Sequence, residues 1–265
     1  NNLREYMKHQ PLKYRDITSE WLQDYDNHRM ITVSPASVRM DVVNIRTAYN
    51  KAMNDDDYLK LNYPFKGGKY SIPKVESLNE SLTEEELTKI HNYSSENFYK
   101  QRARDYFMTS YYMRGWNLTD LARWEKKKDI MPRKKTRKTS GKLLKVRKLN
   151  DALKEVIKRN KGTGIYVFNI LEEGMTEIQR VSKIKSVVKS VSENLKYIAK
   201  ELNISSKLSF RWARNSFTTI ANQDKNINPV VLQELLGHSK IETTIGYIKS
   251  LDKQRDETID DIMDI

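Results

Sequence analysis

The sequence predicts a mainly α-helical protein with a small antiparallel β-sheet, divided into two domains. Three observations carry this. Apolar residues recur at three- and four-residue spacing through most of the chain. A stretch bearing Pro64, Gly67, Gly68 and Pro73 has no such period. A basic segment around residues 126–148 carries a turn sequence, with apolar and polar residues alternating after it from Leu144.

The chain has 265 residues, enough for one large domain or two ordinary ones. A 38% hydrophobic content beside 31% charged residues supports packed cores and argues against global disorder. The net charge of +13 points to a polyanionic partner, nucleic acid first. Absence of cysteine excludes disulfides, Cys-ligated zinc and thiol catalysis, and fits a reducing cytoplasm. No run of about 18 apolar residues exists to span a membrane. The chain opens Asn-Asn-Leu-Arg-Glu, with neither an initiator Met nor a signal-peptide pattern, so an earlier N-terminal portion is expected to have been removed.

Residues 1 to about 60 read as helices. Leu3, Tyr6 and Met7 make a short amphipathic start, and Asp16 to Glu20 offer caps ahead of Trp21, Leu22 and Tyr25. Ser34-Pro35 opens a longer helix with apolar positions Val38, Met40, Val42, Val43, Ile45, Ala48, Tyr49 and Ala52, which Asp55-Asp56-Asp57 ends. Arg39, Arg46 and Lys51 along it either follow a DNA backbone or form a solvated face; Arg39 and Arg46 are taken as DNA-binding candidates. Residues 62–83 read as a linker. Thr83 followed by three glutamates opens the next helix, so a boundary falls near residue 77, with domains at 1–75 and 84–250 and a linker at 76–83. The first 75 residues carry +3 of the charge and the remainder +10.

A helical segment from Phe98 to Trp124 breaks at Arg114-Gly115 and resumes at Asn117. Residues 126–148 then hold 12 Lys or Arg against one acid, Asp129. Thr139-Ser140-Gly141-Lys142 is turn chemistry between strand-like arms at about 130–138 and 143–149. Such a ribbon either meets phosphate or serves as a solvated edge that resists aggregation. A helix follows at 150–160, then the apolar run Ile165 to Phe168. A long amphipathic helix at 176–202 runs through Ile178, Val181, Ile184, Val187, Val188, Val191, Leu195, Ile198 and Leu202, whose apolar stripe is expected in the core. The tail, 251–265, is acidic with a helical stripe, packing in cis or onto a neighbouring subunit.

Residues 207–250 gather Arg211 and Arg214 one helical turn apart, then His238, then Tyr247 nine residues later. Each type suits phosphoryl transfer through a covalent tyrosine. A phenolate attacking a phosphodiester stores the bond energy in a phosphotyrosyl link. Guanidinium groups clamp the charge that builds on the non-bridging oxygens. A lysine on a turn can protonate the departing 5′ oxygen, and a histidine can hold a phosphate oxygen or manage the tyrosine proton. No metal or cofactor is required, and no Asp/Glu/His cluster at ligand spacing is seen.

The order Trp212-Ala213-Arg214-Asn215-Ser216-Phe217-Thr218-Thr219, Leu235-Leu236-Gly237-His238-Ser239 and Thr243-Thr244-Ile245-Gly246-Tyr247 resembles the C-terminal signature of the tyrosine recombinases, the phage integrase family. The resemblance covers 84–250. Residues 1–75 are similar to the family's helical, SAM-like core-binding domain, and Tyr63-Pro64-Phe65 through Ile72-Pro73 to its interdomain linker. It implies a C-shaped clamp on double-stranded DNA that cleaves and rejoins a specific site through a 3′-phosphotyrosine and a Holliday junction. The implied work is integration or excision of a mobile element, as in integrases of conjugative elements. The working form implied is a homotetramer on synapsed DNA, a monomer or weak dimer when free, in the bacterial cytoplasm or nucleoid. In such integrases an arm-binding domain often precedes the part seen here.

Carried over by residue, Tyr247 is the nucleophile, Arg214 the second phosphate-clamping arginine and His238 the histidine beside it. Lys138 matches the lysine of the family's turn, with Lys142 as alternative; Lys135, Arg137 and Lys142 are DNA-binding candidates. Two positions depart. Arg211 stands where the family has His or Lys, and its guanidinium is a poor proton shuttle. The first arginine aligns with Asn117, a DNA-contact candidate, while Arg114 three residues earlier would share its face on a helix and take the arginine's role. Asp120 is read as structural support. Two other readings keep the fold: a type IB topoisomerase, and a non-catalytic DNA-binding module.

Overall fold

The protein is described here from a computed structural model, covering residues 2–73, 80–132, 143–146, 149–205, 207–224, 227–236, 241–242, 244–246 and 248. It divides into two compact units, Asn1–Ser77 and Leu78–Ile265.

The first unit is built from α1 (Asn2–Tyr6), α2 (Ser19–Met30), α3 (Pro35–Met53) and α4 (Asp57–Leu61). Thr18 caps α2, its hydroxyl accepting from the Trp21 amide at 3.2 Å. Pro35 begins α3, where its missing N–H costs nothing. Asp56 both follows α3 and caps α4 through the Leu59 amide. On α3 the buried positions are Val38, Val42, Ile45 and Tyr49, an i, i+4, i+7, i+11 stripe, and Met40 is exposed. The stripe packs on Leu22 and Tyr25 of α2.

Residues 63–72 differ from the linker expected across 62–83. Gly67 and Gly68, at φ +69° and +77°, turn the chain back, and the Tyr70 amide bonds the Pro64 carbonyl at 3.0 Å. Tyr63, Phe65 and Ile72 then pack on the core, and Tyr70 is buried with its hydroxyl donating to Asp26 at 2.9 Å. The Pro and Gly mark the turn, and the aromatics between them close the core.

The second unit comprises α5 (Glu84–Asn92), α6 (Phe98–Tyr112), α7 (Leu118–Ala122), β1 (Ile130–Pro132), β2 (Leu143–Lys145), α8 (Asp151–Arg159), α9 (Glu177–Glu201), α10 (Trp212–Thr219) and α11 (Pro229–Leu236). Thr83 and Glu86 form a reciprocal capping box on α5. β1 and β2 pair antiparallel with Ile130 opposite Lys145. The turn residues between them, including Lys135, Arg137, Lys138 and Lys142, lie outside the described residues, as does the tail 251–265.

Helix α6 is the axis of this unit and packs against α5, α8, α9 and α10. It buries Ala103, Tyr106, Phe107 and Met108, and faces Val187, Val191, Leu195 and Ile198 of α9. Burying such side chains contributes about 1.5–3 kcal/mol each. Ile178, at 84% exposure, and Val181 and Val188 fall off the buried face of α9, contrary to the stripe expected from sequence. α6 also buries Asp105, whose carboxylate accepts from Gln101, Arg104, Arg159 and Asn160. That carboxylate ties the middle of α6 to the C-terminal end of α8, so the helix that leads to Arg114 is held by packing and by charge. Among the described residues no helix is long and apolar enough to cross a membrane.

Candidate functional site

The site is built around the C-terminal end of α6. Arg114 donates its amide to the Tyr111 carbonyl at 2.9 Å and Gly115 donates to the Ser110 carbonyl at 2.7 Å. That pair of bonds is a Schellman ending, whose left-handed position is usually glycine. Here the position is Arg114, at φ +58°, followed by Gly115 at φ +83°. The Ser110 hydroxyl, buried, donates to the Trp116 carbonyl at 2.7 Å and holds the far side of the turn. A left-handed residue bearing Cβ costs roughly 1–2 kcal/mol. Arg114 and Asn117 therefore do not share a helix face: α6 stops at Tyr112, and Asn117 is the extended N-cap of α7. The Asn117 side chain takes no part in that cap.

Gly115 is where the chain meets Arg214. A Cβ added at Gly115 would lie 2.3 Å from Arg214 Cγ and 2.6 Å from Arg214 Cβ, so the arginine stem rests on bare backbone. Arg214 Nη1 donates to the Gly115 carbonyl at 3.3 Å and Nη2 to the Leu236 carbonyl at 2.9 Å. Leu236 is the last residue of α11, where an orphan carbonyl at the negative helix end suits a guanidinium. One side chain thus joins three distant segments, 114–117, 211–214 and 235–236. Arg214 itself is half-buried and Arg211, the N-cap of α10, is exposed.

Helix α10 is anchored from its other side by residues 80–82. Asn215, 2% exposed, donates Nδ2 to the Glu80 carbonyl, and the buried Ser216 hydroxyl accepts from the Leu82 amide at 2.8 Å. The hydroxyls of Thr219 and Ser81 are 3.1 Å apart, and Lys207 pairs with the Glu80 carboxylate at 3.1 Å. Asn215 stands in the signature run quoted above with no role assigned to it. Its partner is a backbone carbonyl 135 residues away, which no local pattern announces.

After α10 the chain takes one π-turn, Ile220–Asp224. Ala221, Leu232 and Ile248 form a small core with Phe217, Ile227 and Leu235 packed on it. Thr244 is fully buried. Ile248, one residue past Tyr247, is thereby seated against α11, while Tyr247 and His238 themselves lie outside the described residues. Of the basic segment, Lys126 bonds the Gly162 and Gly164 carbonyls, each at 2.7 Å, and Lys128 pairs with Glu125. In the first unit Arg39 donates to the Pro73 carbonyl at 2.6 Å, whereas Arg46 is exposed. No group of three His, Cys, Asp or Glu placed to hold a metal occurs among the described residues.

Two family models match the chain: the phage integrase family over residues 80–254 and the phage integrase SAM-like domain over 1–72. Solved structures with the same fold include the Tn1549 transposon integrase in complex with transposon right end DNA. It shares 15% identity at a TM-score of 0.64, over 96% of this chain and 90% of that one. A lambda integrase dimer bound to a COC' core site is 17% identical with a TM-score of 0.60, over 93% and 85%. XerH recombinase bound to a palindromic difH substrate is 15% identical with a TM-score of 0.60, over 100% and 77%. No curated protein sequence matches the chain significantly.

Proposed function

The chain belongs to the phage integrase family, and from that premise we propose that it is a site-specific recombinase that cuts and rejoins duplex DNA through Tyr247. The observation that carries this reading is the junction at Arg214, where the three segments holding Arg114, Arg214 and the approach to His238 meet.

In the proposed step the Tyr247 hydroxyl attacks the scissile phosphorus, forming a phosphotyrosyl ester as the bond to the 5′ oxygen breaks. The phenolic proton passes to a base, for which His238 is the candidate. The leaving 5′ oxygen takes a proton from Lys138 or Lys142. Arg214 and Arg114 neutralise the charge added to the non-bridging oxygens, each such donor lowering the barrier by about 3–4 kcal/mol. Arg211, permanently charged, serves as a third phosphate ligand and not as a proton carrier. The reverse attack, by the 5′ hydroxyl of another strand, rejoins the backbone without an external energy source. The structural relatives include a lambda integrase dimer on DNA and a lambda integrase tetramer on a Holliday junction, and we extend a tetrameric working form to this chain. The mobile-element role is proposed on the family and on the transposon integrase relative.

The test is a nicked suicide substrate carrying the cognate crossover. Wild-type protein should accumulate a covalent protein–DNA adduct, and Tyr247→Phe should bind with unchanged affinity and form none. Adducts persisting in that variant would sink the assignment. Relaxation of supercoils lacking a specific site would transfer the same chemistry to a topoisomerase.

A further inference from the structure

We infer that Asn215 and Ser216 are positioning residues for the DNA cleavage step, setting the place of Arg214 by fastening α10 to the segment Glu80–Leu82. The inference rests on the recombinase reading above and adds to it the attachment that holds the Arg214 helix in place.

Arg214 has its own two carbonyl partners, but each is at the far end of a long side chain. What sets the start of that side chain is the placement of α10. This helix spans eight residues, too few to be rigid by its own hydrogen bonds. It is held instead from both sides. Gly115 presses on the Arg214 stem from one side. Away from that contact Asn215 donates to the Glu80 carbonyl and Ser216 accepts from the Leu82 amide, the Ser216 hydroxyl also donating to the Trp212 carbonyl at 2.7 Å. Thr219 and Lys207 extend the seam to both ends of the helix. Leu82, 1% exposed, plugs the second unit's core, so the segment itself cannot slide.

The chemistry of the seam is selective. Asn215 offers a neutral amide donor to a buried carbonyl, and Ser216 offers a hydroxyl that accepts from one amide while donating to another carbonyl. Neither group is charged and both are buried, at 2% and 0% exposure, so a role in catalysis must pass through Arg214. Displacing the guanidinium by about 1 Å is enough to lose on the order of 100-fold in rate.

The experiment measures single-turnover adduct formation at saturating DNA for wild type, Asn215→Ala, Ser216→Ala and the milder Thr219→Val, with DNA affinity and thermal unfolding for each. Each is run on a normal scissile phosphate and on a methylphosphonate, which carries no charge for Arg214 to neutralise. The expected result for Asn215→Ala and Ser216→Ala is a loss of about 10- to 100-fold on the phosphate with DNA affinity within about threefold of wild type. The loss on the methylphosphonate should be several-fold smaller, as it should be for Arg214→Ala. Equal losses on both substrates, or losses that follow the unfolded fraction, overturn the positioning role. If Asn215→Ala and Ser216→Ala fail to fold, Thr219→Val decides by the same ratio at smaller amplitude. Absence of any wild-type adduct instead overturns the recombinase reading, and the inference with it.

Discussion

Arg114 occupies a backbone conformation that glycine adopts freely and arginine does not. With φ at +58° in the left-handed position of a Schellman ending, it gives up roughly 1–2 kcal/mol relative to glycine. A strained residue beside the Arg214 junction invites a functional explanation. Arg114→Gly should therefore leave the unfolding free energy unchanged or raise it by about 1 kcal/mol, while adduct formation falls by about 100-fold or more. Denaturant titration and the suicide-substrate assay together check this; full cleavage activity in Arg114→Gly would move the first-arginine role to Asn117 or elsewhere. Gly115→Ala should do the opposite to stability. Its methyl meets Arg214 Cγ at 2.3 Å and its φ of +83° disfavours a side chain, so a loss of about 2–4 kcal/mol is expected by the same titration. Neither residue's geometry was legible in the sequence. The Arg-Gly pair announced a break, but the left-handed arginine depends on the Ser110 and Tyr111 carbonyls and on the Trp116 carbonyl that Ser110 holds.

At the scale of elements, the sequence was most informative where a signal is local. Thr18, Thr83 and Thr176 stand where helices begin, because a cap is a bond within three residues of its own position, and Pro35 opens α3 by its fixed φ without a side-chain cap from Ser34. It was least informative where a long-range partner decides. Tyr70 lies in a Pro- and Gly-marked stretch that looked like a linker, yet burial and Asp26 claim it. Such buried phenols have a consequence for the first unit. Burial, with Asp41 adding to it, pushes the Tyr25 hydroxyl up to about 12, and burial raises Tyr70 as well. A raised acid holds its proton longer folded than unfolded, so its contribution is full below the ordinary phenol value of 10.0 and is lost as pH climbs from there toward 12. The first unit should lose on the order of 2 kcal/mol per such tyrosine across that window, and Tyr25→Phe should flatten the loss. Unfolding followed against pH, with tyrosinate absorbance as the second signal, checks it. Asp105 is the corresponding hub of the second unit. Asp105→Ala should cost about 3–5 kcal/mol, since it leaves Arg104, Arg159 and Asn160 without their shared buried acceptor.

For the whole molecule, the relevant quantity is charge and where it is already committed. Of a net +13, most belongs to the residues after 75, and the basic run at 126–148 suggested a single phosphate-facing ribbon. The structure sorts these cations. Lys126 is spent on the Gly162 and Gly164 carbonyls, Arg39 on the Pro73 carbonyl, and Arg123 on Glu177, while Arg46 is exposed. Composition cannot make that distinction, because a lysine bonded to a carbonyl and one facing solvent count alike. It becomes measurable in the salt dependence of DNA binding, where each neutralised phosphate adds about 0.9 to the slope of log affinity against log salt. Arg46→Gln should lower the slope by about 1, and Lys135→Gln with Arg137→Gln by about 2, with the same loss on cognate and unrelated duplexes. Arg39→Gln should leave the slope unchanged and instead weaken the first unit by about 1–3 kcal/mol, because it strips a charged donor from the Pro73 carbonyl. A slope that falls in Arg39→Gln as far as in Arg46→Gln would place both arginines on the DNA backbone and reverse the assignment of Arg39 to the fold.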